Sequence, residues 1–154
     1  MDKSDIVQAL GKLHHLLLPI KQPWFIIGTS NLLLAGFNVE PNDIDILTDK
    51  STASLIHKSL KPFEVPVQLK KDDEKFRSAF SRYNIEGVSI ELMGDLQVNT
   101  NAGWVDVLPL VNSPHQINLN ENFFTIPSNA DQIKIYTLFG RQKDETVLKL
   151  LNAT

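Results

Sequence analysis

Four consecutive residues, Asp43-Ile44-Asp45-Ile46, restrict this chain more than any other stretch of it. In an extended strand successive side chains point to opposite faces. Asp43 and Asp45 therefore share one face, and Ile44 and Ile46 share the other. The isoleucine face needs a core to bury it. The aspartate face needs a reason to exist, because aspartate is depleted in strands. Two adjacent carboxylates also repel unless a positive charge lies between them. A hard divalent cation meets that need, since Mg²⁺ is held by one or two carboxylates together with substrate phosphates. The competing reading is a pair of solvated turn aspartates, which the neighbouring Asn42 favours. Against it, the interleaved Ile44, Ile46 and Leu47 are strand sequence, not turn sequence.

Upstream, Trp24-Phe25-Ile26-Ile27 reads as a short buried strand bounded by Pro23 and Gly28. It runs through Gly28-Thr29-Ser30 into a short helix over 30–35 that Gly36 closes. A strand that ends in Gly-x-Ser and opens a helix presents backbone N–H groups that suit a phosphate. Gly28 permits close backbone approach, and Ser30 adds a hydroxyl. By itself the junction also reads as an ordinary turn capped by Ser30. A two-metal site needs a third carboxylate. Val88-Ser89-Ile90-Glu91-Leu92-Met93 offers Glu91 on the face opposite Val88, Ile90 and Leu92. Asp106, in Trp104-Val105-Asp106-Val107-Leu108, is the rival by the same alternation.

Length and composition bound the rest. The 154 residues suffice for one domain with a sizeable core, and 42% hydrophobic with 21% charged residues is a globular composition. A net charge of −3 supplies no field that draws the chain to nucleic acid unaided. The lack of cysteine excludes a disulfide framework and a thiolate metal site, and fits a cytoplasmic protein. Leu16-Leu17-Leu18-Pro19-Ile20 is too short and too broken to span a membrane, and no signal peptide is expected. His14, His15, His57 and His115 lack ligand spacing and read as structural or surface residues.

The expected order is an N-terminal helix over 1–22, a sheet core over 23–127 and C-terminal helices over 128–154, all in one domain. Ser4 is the expected cap of the first helix and Ser51 that of a helix over 51–60. Lys70 to Lys75 reads as a charged turn. Strands over 76–83 and 88–93 form a hairpin, and 96–100 with 104–108 form another. Phe123 to Ile126 is a short strand. Ser128 or Asn129 caps a helix to Phe139, and a last helix covers 143–151. This order predicts an α+β (mixed α/β) fold: a mixed, largely antiparallel sheet flanked by helices, mostly on one face. Between the last two helices, Arg141 and Lys143 are placed to reach a triphosphate. From the sequence alone the favoured reading is solvated charges of a helix–helix connection, with Asp144 near the start of the last helix.

Together these pieces resemble the nucleotidyltransferase superfamily related to DNA polymerase beta. Within it they resemble the small bacterial nucleotidyltransferase-like proteins, including the minimal, antibiotic-modifying and antitoxin-linked branches. The resemblance rests on Gly28, Ser30, Asp43, Asp45 and Glu91, and on Pro127-Ser128 with Gly140-Arg141-Gln142-Lys143-Asp144. It spans about Pro23 to Leu151. Thr29 stands where a small residue is usual, and Glu91 where aspartate is commoner. The resemblance implies transfer of a nucleoside monophosphate from an NTP to a hydroxyl acceptor, with release of pyrophosphate. Two Mg²⁺ ions about 4 Å apart would be held by Asp43, Asp45 and Glu91. Gly28, Thr29 and Ser30, with Arg141 and Lys143, would bind the nucleotide phosphates. The alternative on the same fold is a non-catalytic nucleotide-binding module or the partner of a toxin. A chain this small leaves an acceptor pocket open-sided, so a homodimer that closes it is the expected assembly.

Overall fold

The computed structural model describes residues 2–67 and 74–153. The charged turn expected from Lys70 lies outside them as far as position 73. Among the described residues the chain forms α1 (Lys3–Leu16), β1 (Phe25–Ile27), α2 (Thr29–Leu34), β2 (Asp43–Thr48), α3 (Lys50–Leu60), β3 (Glu64–Val65) and β4 (Phe76–Ile85). It continues with β5 (Val88–Thr100), β6 (Gly103–Asp106), β7 (His115–Leu119), β8 (Asn122–Ile126), α4 (Asn129–Phe139) and α5 (Gln142–Asn152).

The main sheet runs β1-β2-β5-β4-β3, with β6 also on β5. Among the described residues only the β2–β5 pair is parallel; the other pairings in this sheet are antiparallel. This is the mixed, largely antiparallel sheet with flanking helices that the element order predicts. The strand at β7, which the sequence reading left out, pairs with β8 as a separate hairpin. Its turn residues Asn120 and Glu121 both adopt positive φ, the geometry of a tight two-residue hairpin loop.

The alternation in β2 sets the two layers. Ile44 and Ile46 are fully buried with Ile26, Ile90 and Leu92 beneath α1 and α3. Ile6, Leu10 and Leu13 of α1 have no exposed surface, and burying each is worth about 2 kcal/mol. On the opposite face Phe25, Ile27 and Leu47 pack with Ile135, Tyr136 and Phe139 of α4 and Leu151 of α5. The helices therefore divide between both faces, instead of lying mostly on one. The reason is that β1 is buried on both sides, so each of its faces needs a cover. Acidic caps replace the expected serines: Asp2 accepts from Ser4 N and Asp5 N, and Asp49 accepts from Thr52 N. Ser128 caps α4 as expected, accepting from Asp131 N.

The two strands expected over 88–93 and 96–100 are one strand, β5. Buried and less buried residues alternate along it past Asp95, but the backbone departs from extended geometry at that residue, which adopts φ 52. The pairing then shifts by one residue, from Ala79↔Gly94 to Arg77↔Gln97. This bulge turns Leu96 and Val98 toward the α4–α5 layer, while Ile90 and Leu92 face α1. Asp95 Oδ1 accepts from Lys50 N at 3.0 Å, which ties the bulge to the start of α3. A side chain at Gly94 would meet Ala53 Cβ at 2.8 Å, so α3 sits directly on β5 there.

Candidate functional site

Asp43 and Asp45 stand on the β2 face that lies under the α4–α5 layer, and the parallel register with β5 brings Glu91 beside them. Asp45 is the direct partner of Glu91, and Asp43 that of Ser89. One carboxylate oxygen from each of Asp43, Asp45 and Glu91 lies within 4.8 Å of the others. Asp106 does not join this group. It lies exposed at the end of β6, where Gln97 Nε2 donates to its Oδ1 at 2.8 Å. The choice between the two candidates is thus made by strand order: β2 borders the first half of β5, and β6 borders the second.

On its other side Asp45 pairs with Ile27, so the chain leaves β1 through Gly28 against the Asp45 carboxylate. Gly28 has φ 75 and ψ −158, a region that only glycine visits readily. A Cβ there would stand 2.7 Å from Asp45 Oδ2. Glycine is required here for two independent reasons. Thr29 and Ser30 open α2, and the first helical bonds run from Asn31 N and Leu32 N to the Gly28 carbonyl. Ser30 is buried, and its hydroxyl donates to the Asp43 carbonyl oxygen. That proton ties α2 to β2, so what this turn offers a phosphate is the backbone N–H of Thr29 and Ser30.

The electrostatics of the cluster are unfavourable as it stands. Burial first, and then the charge of Glu91, raise the Asp43 carboxyl above its ordinary range, with Lys143 and Arg82 pulling the other way. Asp45 is raised well above it by burial and by the charges of Asp43 and Glu91, partly offset by Lys143. Asp45 Oδ1 is buried with no hydrogen-bond partner among the described residues. An orphaned carboxylate oxygen is costly, and an all-oxygen donor set is what a hard divalent cation prefers. The residues present fit such an ion.

The two cations between α4 and α5 have different placements. Lys143 is exposed, and its charge is felt by both aspartates. Arg141 is fastened: its Nε donates to Asp144 Oδ2 at 2.8 Å, its Nη2 to Oδ1 at 3.0 Å and its backbone N to Oδ2 at 3.0 Å. Its guanidinium also lies 5.1 Å from the Phe76 ring and 5.0 Å from the Phe139 ring. Asp144 is almost wholly buried under this clamp. Arg141 thus anchors the first turn of α5, on which Lys143 rides. Asp144→Ala is expected to cost about 2–3 kcal/mol by leaving the guanidinium unpaired. Urea denaturation measures that loss, and Lys143→Ala serves as the control that leaves stability within about 0.5 kcal/mol.

Two residues beside the cluster were not singled out from the sequence. Tyr136 of α4 is buried, and burial, then Asp45 and Asp144, push its hydroxyl well above the ordinary tyrosine value. Arg82 of β4 is the strand partner of Glu91 and donates from Nη2 to Glu91 Oε1 at 2.9 Å. Its alternation with Tyr83 was readable, but its neighbour was not. Of the histidines, His57 lies against Tyr83, with Nδ1 2.6 Å from the hydroxyl, and His14 lies edge-on to Phe124. No helix among the described residues is long and apolar enough to cross a membrane.

No protein-family model matches the chain, and no curated protein matches it. Solved structures do. The Thermotoga maritima protein TM1012, provisionally described as a nucleotidyltransferase, superposes with TM-score 0.80 at 28% identity, covering 100% of this chain and 97% of its own. The lincosamide antibiotic adenylyltransferase LnuA, solved with lincomycin bound, gives TM-score 0.60 at 14% identity over 94% of this chain and 95% of its own. An antigenic nucleotidyltransferase-like protein from Paracoccidioides brasiliensis gives 0.53 at 14% identity, over 98% of this chain and 77% of its own. The first of these supports a general role in nucleotidyl transfer, and the other two show the fold. The chain is built on the nucleotidyltransferase fold, and nucleotidyltransferases are the proteins it resembles.

Proposed function

We propose that the protein is a metal-dependent nucleotidyltransferase that moves a nucleoside monophosphate from an NTP to a hydroxyl acceptor and releases pyrophosphate. The observation that carries this reading is the parallel β2–β5 register. It gathers Asp43, Asp45 and Glu91 around a buried, unpartnered carboxylate oxygen. Asp43 and Asp45 would hold two Mg²⁺ ions, and Glu91 would complete the site on the acceptor side. Bound metal would supply charge neutralisation at the phosphates and acidify the acceptor hydroxyl. The Gly28-Thr29-Ser30 backbone lies against Asp45 and would receive the phosphates. Lys143 would add positive charge at the same end, with Arg141 holding it in place. Catalysis then comes from positioning and preorganised charge. A small-molecule hydroxyl is the first acceptor class to test, because an adenylyltransferase of this fold binds lincomycin. A net charge of −3 argues against nucleic acid unaided. A cytoplasmic homodimer remains the working assembly.

With Mg²⁺ and an NTP at ~100-fold over Kd, the folded state gains about 2.7 kcal/mol, or roughly 5–10 °C in melting temperature for a chain of this size. The double substitution Asp43→Asn with Asp45→Asn removes the metal-dependent part. A melting temperature indifferent to every NTP and metal pair would overturn the proposal. One observation favours the second reading, a nucleotide-binding or toxin-partner module without catalysis: Glu91 is already engaged by Arg82. That reading expects partner binding to survive the double substitution, with no nucleotide transferred to any acceptor.

A further inference from the structure

We propose that Arg82 is a placeholder cation. In the metal-free protein it holds Glu91 in position, and it gives Glu91 up when a divalent ion binds. The inference rests on the metal-site reading above and adds a residue and a mode of control to it. Three observations carry it. First, the placement is fixed by backbone pairing: Arg82 and Glu91 are opposite one another in the β4–β5 ladder, on the face of Asp43 and Asp45. The guanidinium charge reaches past Glu91, since it draws on the Asp43 carboxyl as well.

Second, the pair is incompletely made. One N–H···O contact of 2.9 Å joins Nη2 to Oε1, while the buried Arg82 Nε has no hydrogen-bond partner among the described residues. The contrast with Arg141 is direct. That guanidinium gives two parallel bonds to a buried Asp144, with a third from the backbone. A fork spent on both carboxylate oxygens is a structural clamp, whereas a single prong leaves the partner releasable. Third, the guanidinium has somewhere to go. The Arg82 side chain is 38% exposed, and its Cζ lies 5.7 Å from the ring of Phe80, itself exposed.

A divalent ion held by all three carboxylates and a guanidinium on Glu91 repel each other at contact distance. Occupancy of the Glu91 side is then an exchange of one cation for another. On the aspartate side Lys143 acts on both carboxylates through its charge, whereas at Glu91 the competing cation is a direct contact of 2.9 Å.

The test is Mn²⁺ binding without nucleotide, followed by titration calorimetry on the full chain. Arg82→Gln is expected to tighten Mn²⁺ binding about tenfold, because a competing positive charge is removed. In a Glu91→Gln background the same substitution is expected to change it by less than about twofold, since the exchange has lost its object. Unchanged or weaker Mn²⁺ binding by a folded Arg82→Gln protein overturns the proposal. Arg82→Met answers the same question if the glutamine variant does not fold. Wild-type binding that depends on Asp45 yet ignores Arg82 overturns the placeholder alone. Wild-type binding no tighter than that of the Asp43→Asn, Asp45→Asn protein overturns the metal site and the placeholder together.

Discussion

Replacing Asp45 by asparagine is expected to raise the melting temperature of the metal-free protein while abolishing its response to Mg²⁺ and NTP. The two halves of this result have one cause. Asp45 is half-buried, faces Asp43 and Glu91, and its buried Oδ1 has no hydrogen-bond partner among the described residues. On the proposed metal-site reading such a group serves binding at the expense of stability, and neutralising it is expected to return about 1 kcal/mol, roughly 3 °C for a chain of this length. A carboxylate serving only the fold would give the opposite sign. The pH dependence follows. The folded-state pKa of Asp45 lies above its ordinary 3.8, and that of Asp43 does too. The native state therefore binds more protons than the unfolded chain between 3.8 and those raised values. Stability contributed in this way is present at low pH and lost as pH rises through that window. Asp2 and Asp49 have lowered values, so their contribution fades only below the ordinary range and does not mask the effect. In chelator, the melting temperature of the wild type should fall as pH rises above about 4. Mg²⁺ with NTP should offset the fall, and Asp45→Asn should flatten it. Differential scanning calorimetry across pH, with and without metal, checks all three; a wild-type curve in chelator that rises with pH would contradict the assignment.

The largest loss of stability from a single methyl group is expected at Gly28→Ala. Its backbone conformation is one that alanine adopts only with strain, and the new Cβ would press on Asp45 Oδ2 at 2.7 Å. Together these should cost about 3 kcal/mol, roughly 6–12 °C. The contact and the backbone can be separated. In an Asp45→Ala background the oxygen is gone, so Gly28→Ala should cost about 1 kcal/mol less than in the wild type. Equal costs in the two backgrounds would mean that the glycine serves the turn alone. The outcome bears on function, because the close approach of Gly28 to Asp45 is what places the turn beside the carboxylates.

Much of the site was legible because it is written in local alternation. Asp43 and Asp45 fall on one face of β2 whatever lies beside that strand, and Glu91 falls opposite Ile90 and Leu92 by the same rule. The illegible parts involve residues far apart in the chain. Nothing in the segment around Glu91 says that β5 pairs with β2 at Asp45, or that Asp106 is carried away on β6. Gly94 and Asp95 read as a gap between two strands, whereas they sit inside one strand that bulges there; the apolar alternation runs on through Val98 and does not mark the change of face. β7 was missed because only Ile117 and Leu119 of its residues are shielded from solvent, which leaves too weak a pattern to read. The clamp of Arg141 on Asp144 is local, three residues along the chain, but its seat between Phe76 and Phe139 depends on the distant β4.

The sequence by itself determined the chemistry available: two carboxylates on one strand face, a third on another strand, a glycine-serine turn and a pair of late cations. Backbone stereochemistry is local, so alternation and turn type could be read residue by residue. Which of those groups meet was decided by the tertiary structure alone. The parallel β2–β5 register joined Glu91 to Asp45, and the β4–β5 register supplied Arg82, which no local pattern had marked. Strand pairing is a choice among distant segments, made by the whole core at once, and the site exists only where that choice places its strands side by side.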